Sequence, residues 1–239
     1  MFRLVFTIII YFPWNIYFYF KMKRGIKNKK LNLQERYDIS RNIVSSITKK
    51  SRAKVDVYGL ENLPKNNGYV LFPNHQGRYD GLAIVKAIPR QTTFVIDDAR
   101  SHVSIEGTFM DLVKAKRIDK NNPRQMLQAF KEVSDEVISG VNYCIFPEGY
   151  YSDNKNNLQE FKTGCLRFLK HAKCPILPVC LYDTYKVYNV NSYKKVKCEV
   201  HILEPIQYET YKDMHVKDIA ELIKSKIQER IDELNKKVA

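Results

Sequence analysis

The chain has 239 residues, with 40 lysines and arginines against 26 acids and a formal net charge of +14. That length is one ordinary α/β domain with room for a real core, not two domains. The basic excess points to an anionic partner: nucleic acid, anionic lipid, a phosphorylated substrate or an acidic carrier protein. Five cysteines (Cys144, Cys165, Cys174, Cys180, Cys198) show no CxxC spacing, which argues against a disulfide framework and a structural zinc site.

Leu4 to Phe20 is a run of seventeen residues without a charge, interrupted only by Pro13 and Asn15. As one helix it would span roughly 26 Å, near the lower limit for crossing a bilayer. Tyr11, Trp14, Tyr17 and Tyr19 are residue types that settle at the lipid–water boundary. Lys21, Lys23, Arg24, Lys27, Lys29 and Lys30 follow, and such a flank favours cytoplasmic retention of what comes next. A cleaved signal peptide would carry its cations on the other side and a small-residue cleavage site. Residues 1–30 are therefore expected to form a membrane anchor with a basic flank. It either spans the bilayer or, given Pro13 and its short length, inserts shallowly. Residues 31–239 are expected to be the working domain, at the cytoplasmic face.

Leu33 to Ala53 reads as a helix with Ile39, Ile43, Val44 and Ile47 on one face. Lys54 to Tyr58 alternates as a strand, and Gly59 to Gly68 is a turn-rich connection. Tyr69 to Phe72 is an apolar strand ending at Pro73, followed by a helix from about Asp80 to Ile88. Thr92 to Ile96 is a strand. Ser101 to Ala115 is mostly helical, with Gly107 as a break, and Lys116 to Ile118 is a short strand. Asn122 caps a helix with Pro123 in its first turn that runs to Ser139. Strand Asn142 to Phe146, polar loop Ser152 to Gln159 and helix Lys162 to His171 come next. Ile176 to Leu181 and Val196 to Leu203 are strands. The last helix, about Met214 to Lys236, places Val216, Ile219, Ile223, Ile227, Ile231 and Leu234 at helical spacing. Strands alternating with helices predict an α/β domain, a mostly parallel sheet flanked by helices, behind an N-terminal membrane-associated helix.

Two segments carry chemistry: Asn74-His75-Gln76-Gly77-Arg78-Tyr79-Asp80, leaving one apolar strand, and Phe146-Pro147-Glu148-Gly149, leaving another. Strand ends bearing polar residues are where an α/β protein builds its site. His75 and Asp80 are five apart, about 140° around an ideal helix, so they meet only if the segment is partly a turn. Gly77 supplies backbone freedom for that. A neutral imidazole held by a carboxylate on one nitrogen accepts a hydroxyl proton on the other, which activates an alcohol without an enzyme-bound nucleophile. The spacing equally permits a histidine and a helix-capping aspartate that never meet.

Glu148-Gly149 alone is weak, but it is backed by Phe161-Lys162-Thr163-Gly164 and by Ile176-Leu177-Pro178-Val179. Together these segments resemble the glycerophospholipid acyltransferase family. Its NHxxxxD segment is matched in full by Asn74 to Asp80. Its IDR-like segment is matched by Arg117-Ile118-Asp119-Lys120, with lysine at the usual arginine. Its FPEGTRS segment is matched as FPEGYYS from Phe146 to Ser152, and its later apolar segment with a proline by Pro178. Order and spacing hold from about Val55 to Leu181. The resemblance implies a glycerol-phosphate acyltransferase-like fold. It also implies transfer of an acyl group from acyl-CoA or acyl-carrier protein to the hydroxyl of a membrane lysophospholipid, with lysophosphatidic acid giving phosphatidic acid. It makes His75 the general base and Asp80 its orienter. Asn74, Arg78, Lys120, Glu148, Gly149 and Lys162 become candidates for acceptor binding. No metal or cofactor is implied, and acyl-carrier protein is a candidate partner. The departures are Tyr150-Tyr151 for the family's threonine-arginine and Lys120, a point charge in place of a bidentate fork. Arg78, Lys162 or Arg117 are the residues available to compensate.

Three other readings compete. A metal-dependent hydrolase would use His75, Asp80 and Glu148 as ligands, but no HExxH or second nearby histidine supports it. A nucleic-acid binder rests on charge alone, and the one basic cluster, Lys21 to Lys30, adjoins the apolar run, where anionic lipid explains it better. An inactive member of the family is opposed by the intact His75 and Asp80. GxSxG, Walker and GxGxxG motifs are all missing from the sequence.

Overall fold

The computed structural model describes residues 2–101 and 104–238. Two helices open the chain, α1 (Phe2–Ile10) and α2 (Phe12–Lys27), followed by α3 (Leu33–Lys50). The remainder runs β1 (Ala53–Tyr58), β2 (Val70–Pro73), α4 (Asp80–Ala87), β3 (Thr93–Asp97), α5 (Ser104–Leu112), β4 (Lys116–Ile118), α6 (Pro123–Ile138) and β5 (Tyr143–Cys144). Then come α7 (Leu169–Ala172), β6 (Ile176–Tyr182), α8 (Tyr185–Tyr188), β7 (Val196–Ile202), α9 (Tyr208–Tyr211) and α10 (Val216–Val238).

The strands form one sheet in the order β1-β7-β6-β2-β5-β3-β4. Every neighbouring pair is parallel except β6 with β7. Strands β2 to β6 therefore all end on the same edge, and the segments after them meet there. Side-chain alternation divides the core between the two faces. Tyr69, Leu71, Leu177 and Val179 pack with α3 and α4 residues such as Val44 and Ile84. Val70, Phe72, Ile176 and Cys180 pack with α6 and α10 residues such as Val133, Ile223 and Ile227. Helices on both faces explain why β2 and β6 read as unbroken apolar runs.

The predicted α/β architecture with a mostly parallel sheet is present; the single N-terminal helix is not. α1 and α2 meet at a bend of 83°, and no single helix is long and apolar enough to cross a membrane among the described residues. Pro13 in the first turn of α2 starts a new helix. The Asn15 side-chain amide donates to the Ile8 carbonyl at 3.0 Å, satisfying a group freed by the bend. The inner side of α2 joins the core through Phe18, Met22 and Gly25. A Cβ on Gly25 would stand 2.8 Å from Leu112 Cδ1, so α2 and α5 approach at a glycine.

Several other boundaries move. Gly107 lies inside α5 and does not break it; of the predicted 101–115 helix, residues 102 and 103 lie outside the described residues. α3 ends at Lys50 because Arg52 takes a positive φ of 54° ahead of β1. The predicted Asn142 to Phe146 strand shrinks to Tyr143–Cys144. The buried Asn142 is occupied as a side chain: its oxygen accepts the Gly68 N–H at 2.8 Å, and its amide donates to the Gln91 carbonyl at 2.8 Å. The predicted Lys162 to His171 helix splits into a 3-10 turn, Thr163–Leu166, and α7. Burying Phe161, Leu166 and Phe168 decides that backbone over local propensity. Asn122 caps α6 as predicted, accepting the Gln125 N–H at 3.1 Å.

Candidate active site

His75 and Asp80 meet. The chain leaves β2 as a turn, and Asp80 opens α4. His75 Nδ1 lies 2.7 Å from Asp80 Oδ2. The same oxygen accepts the backbone N–H groups of Gln76 at 2.5 Å and Gly77 at 2.8 Å. Asp80 Oδ1 accepts the Thr184 hydroxyl at 2.7 Å, from the segment after β6. A carboxylate that is 0% exposed thus has four donors from two chain segments. This acceptor fixes the tautomer: Nδ1 carries the proton and Nε2 is the free base. Nε2 has no hydrogen-bond partner among the described residues, and the His75 side chain is 18% exposed.

Glu148 is turned inward against the histidine segment. It is 0% exposed, with Oε1 accepting the backbone N–H of His75 at 2.9 Å and Oε2 accepting the Gln159 amide at 2.6 Å. Burial, the largest influence, raises its carboxyl above the ordinary value, with the His75 backbone and Gln159 opposing. Gly149 has φ 74°, and its N–H donates to the Phe146 carbonyl at 3.0 Å, closing the turn that aims Glu148 inward. Asn74 is also a fastener: its amide donates to Leu181 O at 3.0 Å, and Leu181 N–H donates back at 2.7 Å, tying β2 to β6. Gly77 has no positive φ; its lack of a Cβ matters because one would sit 2.7 Å from Asn189 Oδ1.

The cations divide into two groups. Lys120 Nζ reaches the Gly149 carbonyl at 2.8 Å and Asp97 at 3.1 Å, and Lys162 Cγ lies 3.6 Å from where a Gly149 Cβ would be. Arg78 is exposed and faces Glu106 of α5, whose carboxyl is raised by burial with Arg78 opposing. Arg117 is committed elsewhere, to Ser101 at 2.8 Å and Asp111 at 2.7 Å. Tyr151, standing at the resemblance's arginine, lies edge-on to the His75 ring at 4.8 Å, while Phe146 stacks on it at 4.3 Å.

Sequence reasoning missed a set of amide and hydroxyl side chains. Gln76 donates to Leu181 O and Asn156 Oδ1, both at 2.8 Å, and accepts the Thr184 N–H at 3.0 Å. Asn154 donates to the His75 carbonyl at 3.2 Å. The loop after Glu148 thus wraps the histidine segment through Asn154, Asn156 and Gln159. Its density of amides was the visible signal. Thr184 gave none, because it lies 104 residues beyond Asp80. The metal-hydrolase reading is not favoured: Glu148 and Asp80 bind different parts of His75, and no three-residue ligand group is found among the described residues.

The chain belongs to the acyltransferase family, whose model, described as Acyltransferase, matches residues 54–182, more than half of it. It is 28% identical over 171 residues to the 1-acyl-sn-glycerol-3-phosphate acyltransferase of Escherichia coli K12, covering 71% of this chain and 69% of that protein. It is 24% identical to the alpha form of that enzyme from Bos taurus, covering 72% of this chain and 60% of the relative. The crystal structure of the 1-acyl-sn-glycerophosphate acyltransferase of Thermotoga maritima shares the fold, with a TM-score of 0.78 at 19% identity over 98% of this chain and 96% of the other.

His75→Ala should reduce turnover by roughly two to four orders of magnitude while circular dichroism stays unchanged. Thr184→Val, which removes a hydroxyl whose one proton is shared between Asp80 Oδ1 at 2.7 Å and Gln76 Oε1 at 2.8 Å, should cost about tenfold, and Thr184→Ser should keep the activity. Equal activity in Thr184→Val and wild type would show that the second carboxylate oxygen needs no protein donor.

A carboxyl raised by folding contributes stability that is complete below its ordinary value and is lost as pH climbs through the raised one. Glu148→Gln removes that titration. The stability of wild type minus that of Glu148→Gln should therefore fall as pH rises from 4.5. Urea unfolding across a pH series reads the difference, and a flat difference would exclude Glu148 as the group responsible.

Proposed function

We propose that the protein transfers a fatty acyl group from acyl-CoA or acyl-carrier protein to the free hydroxyl of a lysophospholipid, with lysophosphatidic acid as acceptor and phosphatidic acid as product. The observation that carries this reading is the His75–Asp80 pair with Nε2 left free. The acceptor hydroxyl attacks the thioester carbonyl as its proton passes to Nε2. The tetrahedral intermediate collapses, the C–S bond breaks, and the thiolate recovers the proton from the imidazolium. Asp80 stabilises that imidazolium and holds the ring, and Phe146 and Tyr151 restrict its rotation. Glu148 places the histidine backbone. Lys120 uses two of its three N–H donors on Gly149 and Asp97, leaving one for an acceptor phosphate. Lys162 stands beside it. No metal or cofactor takes part in this scheme.

A second acceptor reading rests on one observation. Tyr151 puts an aromatic edge against His75 where the family segment has arginine. A lysolipid with a zwitterionic or uncharged headgroup fits that replacement. Radiolabelled acyl donor with matched lysolipids separates the two. Charge-assisted phosphate contacts contribute about 1.5–3 kcal/mol, so Lys120→Ala should raise the lysophosphatidic acid KM about tenfold or more and leave the donor KM nearly unchanged. If lysophosphatidic acid is used no better than its headgroup analogues and Lys120→Ala is silent, the phosphate acceptor is wrong while acyl transfer stands.

The same reading places the protein on the cytoplasmic face of a membrane, lying in the interface. α1 and α2 expose Ile8, Ile9, Ile10, Phe12, Trp14, Tyr17 and Phe20, next to exposed Arg24, Lys27, Lys29 and Lys30. An apolar surface beside a basic one suits an anionic leaflet. Because Phe18 and Met22 are core residues, the test replaces only the outer side chains. Ile9→Ser, Phe12→Ser and Phe20→Ser combined should abolish co-sedimentation with anionic vesicles, since each buried apolar side chain contributes about 1.5–3 kcal/mol. Unchanged sedimentation of the triple variant would move the membrane contact elsewhere.

A further inference from the structure

One buried hydroxyl faces two acceptors beside the His75–Asp80 pair. Thr184 Oγ1 lies 2.7 Å from Asp80 Oδ1 and 2.8 Å from Gln76 Oε1, and all three side chains are 0% exposed. A hydroxyl has one proton to donate, so both contacts cannot be full hydrogen bonds at once. Turning the Gln76 amide over does not remove the conflict. Its Nε2 donates to Leu181 O and Asn156 Oδ1, both at 2.8 Å, and its Oε1 accepts the Thr184 N–H at 3.0 Å. The reversed amide would set oxygen against two oxygens and N–H against N–H. Asn156 is fixed in turn. Its Oδ1 accepts the Asp183 N–H at 2.9 Å, and its Nδ2 donates to Asp183 Oδ1 at 3.0 Å. Asp183 Oδ2 accepts from Lys186 at 2.7 Å. A carboxylate at the far end therefore sets the direction of both amides, and Gln76 presents an acceptor to Thr184.

Which acceptor takes the proton depends on the charge of His75. While the ring is neutral, the Asp80 carboxylate is the stronger acceptor, because a charge-assisted hydrogen bond is roughly twice as strong as a neutral one. Once the ring is an imidazolium, its positive charge lies against Asp80 Oδ2, with Nδ1 2.7 Å away. The carboxylate then holds the Thr184 proton less well, and the neutral carbonyl of Gln76 can take it by rotation of the hydroxyl. That rotation returns negative charge to Asp80 at the moment the imidazolium needs it. An interaction that strengthens only then lowers the barrier without tightening substrate binding.

We infer that Gln76 is a positioning residue acting on His75 through Thr184: it takes the Thr184 proton when His75 becomes protonated and releases it to Asp80 when His75 is neutral. The inference rests on the acyl-transfer reading for the source of the proton on His75. The hydroxyl rotation itself follows ring protonation from any source. The other titratable groups around the pair are Glu148 on the backbone side of His75 and Tyr151 at the ring edge. The buried thiols of Cys144 on β5 and Cys198 on β7 also face Asp80; both are raised, by burial first and by the Asp80 charge second. Asp183 and Lys186 stand beyond Asn156.

Proton NMR of full-length protein in detergent micelles tests this on the His75 Nδ1 proton, identified by its absence in His75→Ala. The spectrum is taken with the ring neutral and again with it protonated by acid. A carboxylate with fewer other donors draws this proton further downfield. Thr184→Val should lie downfield of wild type in the neutral form and coincide with it in the protonated form. Gln76→Met should coincide with wild type in the neutral form and lie upfield of it in the protonated form. The double variant should follow Thr184→Val. Because Glu148 also titrates, the comparison is repeated in Glu148→Gln, where the pattern should persist. Gln76→Met should also lower kcat about tenfold with both KM values within about twofold, and by less than threefold in the Thr184→Val background. If Gln76→Met fails to fold, Thr184→Val against wild type in the two ring forms still decides. The inference is overturned if wild type and Thr184→Val differ equally in both forms, if the pattern vanishes in Glu148→Gln, or if Gln76→Met costs the same kcat in both backgrounds, as a purely structural fastener would. A wild type that transfers no acyl group but shows the NMR pattern would remove the acyl-transfer reading and leave the rotation standing.

Discussion

The buried carboxylate of Asp80 is the constraint on which the rest of the site depends. It receives the His75 ring, two backbone N–H groups of its own turn, and a hydroxyl from beyond β6. Each donor offsets part of the cost of keeping a carboxylate out of water. In return the histidine gains one tautomer and one orientation. The turn between β2 and α4 cannot relax without stranding those donors, so the geometry of the His75 ring is built into the fold.

Around that turn the protein sets a second layer that never touches the free Nε2. Glu148 holds the His75 N–H, and Asn154 holds the His75 carbonyl. The backbone of one residue is thus gripped on both sides by the segment following β5. Asn74 and Gln76 fasten the same turn to Leu181 at the end of β6. Parallel pairing makes this economical in sequence: three strand ends arrive together, and each supplies a short polar segment.

The N-terminal pair follows different physics. Its outer surface is apolar and exposed, and its inner surface holds cations that the protein satisfies only with carbonyls and rings. Phe18, Met22 and Gly25 lock α2 into the core, so the N-terminal helices and the rest of the domain are continuous through packing.

Much of this was legible in the sequence because it depends on local pattern. Apolar runs between turn residues gave the strands, 3.6-residue periodicity gave α3 and α10, and Asn122-Pro123 marked the start of α6. The spacing of His75 and Asp80 also stated its own condition, that the segment be a turn, and it is. What the sequence left open was every pairing across distance. Whether His75 met Asp80 depended on donors arriving from Gln76, Gly77 and Thr184. The inward aim of Glu148 depended on the αL turn at Gly149 and on Gln159. The uncharged run of Leu4 to Phe20 looked like one helix because composition carries no direction; the bend after Ile10 appears only once Pro13 withholds an N–H and the Asn15 amide answers the Ile8 carbonyl. Periodicity and composition are properties of neighbours along the chain, so sequence alone determined the elements and the reacting residue types. Burial and hydrogen-bond satisfaction are properties of neighbours in space, so the tertiary structure alone decided which of those residues touch the His75 ring and which hold its backbone.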